Sequence, residues 1–202
     1  LDERGYIGVK DGTDRFELTL KMFELSHRHP PIKRLVEQAS PVMNDLVQEV
    51  EQSCHLVVFN NSQLLVVAQV DSPGQLGFSV RLGTSLQSLS KTASGQIFLA
   101  YLDVEERMQI MLAAKELYTE TLEQELQVIK QRGYIESPSL QIKGIYNQSY
   151  PIFDYTGDLV AVLTVPFVKK LEGEKLTRSQ VRSRLKLASE KVSYLLGARV
   201  SE

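Results

Sequence analysis

A single cysteine, Cys54, is all the thiol chemistry this chain of 202 residues possesses. It cannot close an intrachain disulfide, and it rules out a metal site built from several thiolates. There is no apolar run of the roughly eighteen residues that a membrane-spanning helix needs, and no signal peptide. A basic surplus is missing too, since 23 Lys and Arg stand against 25 Asp and Glu, a formal net charge of −2. Proteins that hold DNA by themselves neutralise phosphates with excess positive charge. Any DNA contact must therefore be local or made by other residues. No G-x-S-x-G elbow, G-x-G-x-x-G turn or Walker loop is present. These absences point to a cytoplasmic globular protein with no metal and no cofactor, and away from the common enzyme chemistries.

What is present supports a real core, since 43 % of the residues are hydrophobic. Residues 5–9 and 15–19 flank a turn-like KDGTD segment in which Asp11-Gly12 tolerates positive φ, a hairpin signature. A hairpin alone is marginal in water, and Leu1 falls inside what looks like a structural element, so further residues of the same domain are expected upstream. Residues 20–29 read as a helix ended by Pro30-Pro31. From Ile32 the apolar positions Leu35, Val36, Ala39, Val42, Met43, Leu46, Val47 and Val50 repeat at helical spacing. Pro41 is expected to end or kink that helix.

A β region follows. Residues 55–59 and 64–70 flank Asn60-Asn61-Ser62, and residues 76–82 form a third candidate strand. After a loop rich in Ser and Thr come helices over 92–101, over 103–113 with Asp103 as N-cap, and from Thr119 to Arg132 with Gly133 as the stop. Residues 142–147, 149–154 and 159–166 are again strands, and Thr177 opens a final helix. The order is that of an α+β fold with an antiparallel sheet.

The residues offer little catalytic geometry. Cys54 and His55 are neighbours in a strand and diverge to opposite faces, so they read as a buried thiol and a half-buried imidazole. His27 and His29, two apart, do not share a helix face and lack a third ligand. Glu105-Glu106 is not spaced as an acid–base couple. The basic run Lys175, Arg178, Arg182, Arg184 and Lys186 reads as a solvated helix face beside an apolar stripe. Ser88, Ser90, Thr92, Ser94 and Gly95 lead into a helix, where exposed N–H groups either hold an anion or are simply capped.

The order of these motifs resembles the IclR family of transcription regulators over essentially the whole chain. Ser90 to Leu102 (SKTASGQIFLAYL) is similar to the family's A-T-A-L-G-K-A-L-L-A-F-L stretch, with Gly95, Leu99 and Ala100 in register. Arg132-Gly133-Tyr134 matches its R-G-Y, and Gly144 with Pro151–Asp154 its G-x-x-C-x-A-x-P-x-x-D pattern. The chain departs from the family at Glu136-Ser137-Pro138, at Asn147 in place of a cysteine, at Gln96 in place of a lysine, and at Thr164-Val165-Pro166.

The resemblance implies a GAF-like effector-binding and oligomerisation domain over residues 33–202, with a mainly antiparallel sheet of about six strands flanked by helices. Residues 1–20 would be the wing hairpin of a winged helix-turn-helix domain, and 21–32 a linker helix. Carried over by position, the effector pocket would be formed by Phe78, Leu86, Thr92, Ala93, Ser94, Ser137, Ile145, Asn147 and Thr164. Lys10 and Arg15 of the wing would touch the DNA backbone. The implied partners are a small-molecule effector for which a carboxylate is one candidate, operator DNA bound by the full-length protein, and further copies of the chain in a homodimer or homotetramer. A GAF-like sensor with another output, or a small enzyme acting on a carboxylic acid in the same pocket, are the other readings of the same residues.

Overall fold

A computed structural model describes residues 3–10, 12–13, 15–28, 30–60, 63–74, 77–170, 173 and 175–199. The chain divides into two compact units, Leu1–Glu37 and Gln38–Glu202. In the first, β1 (Ile7–Val9) pairs antiparallel with β2 (Phe16–Leu18), with Gly8 opposite Glu17. This is the hairpin expected from the sequence. Gly12 takes the positive φ, +76°, that its turn requires, while Asp11 lies outside the described residues. Lys10 and Arg15 close the hairpin, the Lys10 N–H donating to the Arg15 carbonyl at 2.9 Å. Thr19 Oγ1 donates to the Gly5 carbonyl at 2.6 Å and fixes the exit towards α1 (Leu20–Arg28).

The next helix, α2 (Pro30–Val50), runs through Pro41 without ending, so of the expected end or kink the end is not met. Pro41 has no N–H to offer the Glu37 carbonyl, but both residues are solvent-exposed, so water can satisfy that oxygen. Past the proline, Val42, Met43, Leu46, Val47 and Val50 are all buried, each contributing on the order of 1.5–3 kcal/mol. That packing outweighs the lost backbone bond. His29 and the side chain of His27 lie outside the described residues.

The second unit is built on a six-stranded antiparallel sheet. It comprises β3 (Cys54–Asn60), β4 (Gln63–Val70), β5 (Ser85–Leu86), β6 (Ile135–Pro138), β7 (Ile145–Phe153) and β8 (Leu159–Val168), in the order β5-β4-β3-β8-β7-β6. The strand count matches the expectation, but its members differ. Residues 77–82 are not a strand, and the edge is instead the two-residue β5. The Gln69 side chain accepts the Leu82 N–H at 2.9 Å, a bond that a ladder would otherwise supply. The two strands expected over 142–154 are one, β7. Gln148, which reads as a polar interruption, is fully buried and donates to both Glu136 Oε2 and the Arg178 carbonyl at 2.8 Å. The short polar β6 gave no periodic signal.

Helices cover both faces. One face carries α3 (Ala93–Tyr101), α4 (Val104–Ala113) and α5 (Glu120–Arg132). Ile97, Phe98 and Leu99 of α3, Met111 of α4 and Leu126 of α5 join Val57, Val66 and Val162 of the sheet in one core. The caps read from the sequence at Asp103, Thr119 and Gly133 are in place, and Thr92, expected inside its helix, is a cap as well. Thr92, Asp103 and Thr119 accept N–H groups of the first turns, and Gly133 closes α5 at φ +73°, each cap contributing about 1 kcal/mol. The other face carries the end of α2 beside α6 (Arg178–Leu195), opened by a capping box at Thr177. Glu49–Arg184 and Asp45–Lys191 ion pairs join these two helices.

Much of the basic run of α6 is paired rather than merely solvated. Arg178 and Arg182 both reach Glu136 and lie over the rings of Tyr146 and Tyr134.

Candidate ligand-binding site

The start of α3 is held against the preceding loop by a close backbone approach. A Cβ on Gly95 would sit 2.3 Å from the Leu89 carbonyl oxygen, so only glycine fits there. Thr92 caps the helix through the Gly95 N–H, and Gln96 donates to the Thr92 carbonyl. The N–H groups of Ala93 and Ser94 are left without intrahelical acceptors. The preceding loop is pinned by a carboxylate. Glu116 accepts from Leu89 N at 2.8 Å, Ser90 N at 2.9 Å and Ser88 Oγ at 3.0 Å, and also from Ser90 Oγ. Burial by itself pushes the Glu116 carboxyl up, but these four bonds outweigh it and hold the group below the usual carboxylate range.

Beside this helix start lies a cavity of about 220 Å³. Seven of the nine expected pocket residues meet there: Phe78, Leu86, Thr92, Ala93, Ser94, Asn147 and Thr164. Phe78 reaches it from a coil segment, not from the strand expected for it. Ser137 lies across the ladder from Asn147, and Ile145 pairs with Val168, but neither lines the cavity. The loop after β6 covers that side instead, with Ser139, Leu140 and Gln141. Residues 142–144 belong to this loop rather than to β7.

The cavity floor is polar and uncharged. Thr164 Oγ1 lies 2.7 Å from Ser149 Oγ and 3.1 Å from Ser94 Oγ, a buried chain of three hydroxyls. His55, paired with Thr164 across β3 and β8, lines the same floor. Its imidazole is buried rather than half-exposed, and burial pushes its pKa from the ordinary 6.5 down to about 4. It is therefore neutral at physiological pH, and its Nδ1 has no hydrogen-bond partner, an arrangement that costs about 1–3 kcal/mol. Cys54 points to the opposite face, its thiol donating to the Met43 carbonyl at 3.8 Å, so thiol and imidazole do not meet. Lys91 is the one charged side chain among the residues that line the cavity, and its own side chain is exposed.

Two of these residues carry a usable signal in the sequence. His55 is a lone imidazole in an otherwise apolar strand, and Lys91 directly precedes the helix cap.

A larger groove of about 870 Å³ runs between the β7–β8 turn and α6, lined among others by Tyr101, Arg132, Tyr150, Lys186, Glu190 and Arg199. Its charges are mixed, with Lys186 already paired to Glu190. The smaller cavity has the form of a ligand site, a few convergent polar groups in an otherwise apolar wall, and among the described residues no group of His, Cys, Asp and Glu is placed to hold a metal ion.

Sheet order, helix placement and this cavity define an effector-type α+β domain. Residues 32–194 match the family described as bacterial transcriptional regulator IclR C-terminal, and the chain belongs to that family: it contains the effector domain of an IclR-family transcription regulator. It is 27 % identical over 201 residues to the HTH-type transcriptional regulator KdgR of Escherichia coli K12, covering 96 % of this chain and 76 % of the relative. The fold is similar to that of Thermotoga maritima IclR, with a TM-score of 0.70 and 23 % identity over 97 % of this chain and 81 % of that one. It is similar also to an IclR homologue of Microbacterium hydrocarbonoxydans complexed with 4-hydroxybenzoate, with a TM-score of 0.78 and 19 % identity over 96 % and 80 % of the two chains.

Proposed function

We propose that residues 33–202 sense a small molecule in the cavity beside α3 and transmit its binding to DNA through the arrangement of subunits. The observation that carries this reading is the convergence of the Thr92–Ser94 helix start, Asn147 and Thr164 on one cavity. One cationic side chain and no acidic one line it, which suits a carboxylate. The similar fold complexed with 4-hydroxybenzoate supports an acid of that size. Such coupling requires the effector to bind one subunit arrangement better than another, since tight binding alone shifts no equilibrium.

In this reading residues 1–20 are the wing of a winged helix-turn-helix domain and 21–32 its linker. Lys10 and Arg15, both exposed, touch DNA phosphates. The full-length protein binds its operator as a symmetric homodimer or homotetramer in the cytoplasm. The protein is a regulator rather than an enzyme, a reading supported by its match to the IclR C-terminal family and its similarity to the regulator KdgR.

The test is a thermal-shift and calorimetric screen of small carboxylates, 4-hydroxybenzoate among them. A ligand bound only by the folded state at one hundred times its Kd stabilises by about 2.7 kcal/mol. Asn147→Leu is expected to weaken a hit at least roughly tenfold, a cost of about 1.4 kcal/mol. An unchanged affinity would place binding elsewhere.

A further inference from the structure

A separate cavity, of about 330 Å³, opens at the end of α3 away from its Thr92 cap. That helix has nine residues and is about 13 Å long, and no residue lines both this cavity and the one at its start. Four aromatic side chains line it, Phe59 of β3, Phe98 and Tyr101 of α3, and Phe153 of β7. The Phe59 and Phe98 ring centroids are 5.7 Å apart at an interplanar angle of 37°, and those of Tyr101 and Phe153 are 5.2 Å apart at 67°. Neither pair is stacked flat, so the rings do not cover their faces with one another.

The charged residues that line the cavity are both acidic, Glu106 in the first turn of α4 and Asp158 at the entry to β8. Both are exposed, and among the described residues neither takes part in an ion pair. Arg107, next to Glu106 in the chain, is buried and engaged with Glu123 and the Leu99 and Leu102 carbonyls. Asp158 accepts from the Thr156 hydroxyl at 2.7 Å, a neutral donor that leaves its charge unbalanced. The Lys130 ammonium stands 6.0 Å from the Tyr101 ring centroid, at the outer limit of cation–π attraction, and does not line the cavity.

This lining selects its occupant by charge and by surface. An anion would be repelled by both carboxylates. A metal ion needs oxygen or nitrogen ligands that four rings cannot supply, and among the described residues no group of three His, Cys, Asp and Glu is placed to hold one. A primary ammonium carries three N–H donors, each of which would want an acceptor among the rings. A quaternary ammonium carries none, and its methyl groups give it apolar surface. The negative ring faces attract such a cation, and the two carboxylates at the rim balance its charge.

We propose that this cavity is a second ligand site of the domain and takes a small quaternary ammonium compound. The site stands apart from the effector reading of the cavity at the start of α3. The test titrates the whole chain with choline and with its neutral isostere, the alcohol in which a tert-butyl group replaces the trimethylammonium, followed by amide NMR shifts. Choline is expected to bind at least roughly tenfold more tightly than the alcohol, with its shifts gathered at Leu102, Gly157 and Leu159. Glu106→Gln, an exposed change that spares the core, should weaken choline roughly threefold and leave the alcohol unaffected. Phe59→Leu, apolar but without a ring, should weaken choline roughly threefold to tenfold and the alcohol by less.

Equal affinities for choline and the alcohol overturn the proposal, because the charge would then count for nothing. No saturable choline binding up to about 10 mM overturns it, as do choline shifts centred on Ala93 and Ser94. Choline affinity unchanged in both variants also overturns it, since binding would then lie elsewhere. A carboxylate that binds in the screen while choline does not leaves the effector reading standing and removes this site alone.

Discussion

Glu116 closes the Ser88–Ser90 loop as a bound anion would, accepting both the N–H and the hydroxyl of Ser90 while also holding Leu89 N and Ser88 Oγ. The carboxylate comes from the segment after α4, so it ties the cavity's loop to the helical layer. Glu116→Gln keeps the shape but loses the charge and some of the acceptor capacity. The expected result is a loss of about 1–3 kcal/mol in urea unfolding, with faster amide exchange at Leu89 and Ser90. Unaltered exchange at those two amides would show that the loop is held by other contacts.

Gly95→Ala should be costly although alanine favours helices. The added methyl meets the Leu89 backbone, which cannot step aside as a flexible side chain could. A destabilisation of about 2–3 kcal/mol is expected, read from denaturant midpoints. A neutral substitution would mean that the loop and α3 separate readily.

Arg107 is buried, and its Nε and Nη2 satisfy the last carbonyls of α3, donating to Leu99 at 2.8 Å and Leu102 at 3.0 Å. Its Nη1 meets Glu123 and the Tyr118 hydroxyl. Arg107→Ala leaves the buried Leu99 carbonyl and the part-buried Leu102 carbonyl without this donor, and leaves Glu123 with only Tyr118 and Gln127 as donors, and should cost about 3 kcal/mol. Glu123→Gln, on the more exposed side of the pair, should cost less. Equal effects would show that the carbonyl contacts contribute little.

The buried imidazole of His55 makes stability depend on pH. The unfolded chain takes up this proton near pH 6.5 and the folded one near 4. Between those values the unfolded state holds more protons, so stability rises with pH. This contribution is complete above about 6.5 and is lost as the pH falls towards 4, by at most about 1.4 kcal/mol per pH unit. Urea midpoints of the parent and of His55→Phe, compared from pH 7 to 4.5, isolate it. Parallel profiles would show that the histidine titrates alike in both states.

Cys54 offers a direct reporter of global opening. Burial pushes its thiol up to about 12, and no other cysteine competes. Labelling by an aromatic disulfide should be slow in the native protein and should accelerate in step with unfolding by urea. Rapid native labelling would show that the layer between α2 and β3 opens locally.

Several features were fixed by local chemistry and were therefore legible in the chain. The caps at Asp103, Thr119 and Thr177, the stop at Gly133, the hairpin turn at Gly12 and the amphipathic stripe of α6 each depend on residues a few positions apart. A capping hydroxyl or a helical period is complete within one segment. Order and spacing of motifs around Gly95 and Arg132-Gly133-Tyr134 carried the family assignment, because close backbone packing tolerates few residue types.

What only the tertiary structure decided depends on partners distant in sequence. Pro41 stays inside a helix because packing beyond it outweighs one missing bond. Residues 77–82 leave the ladder because a glutamine from β4 takes over one of its bonds. Gln148 lies inside β7 because Glu136 and the Arg178 carbonyl meet its amide. The same holds for the pocket. Loop residues Ser139 to Gln141 replaced Ser137 and Ile145 in its wall, and His55 joined it, since burial and the lack of a hydrogen-bond partner are properties of the assembled sheet and are written in no single segment.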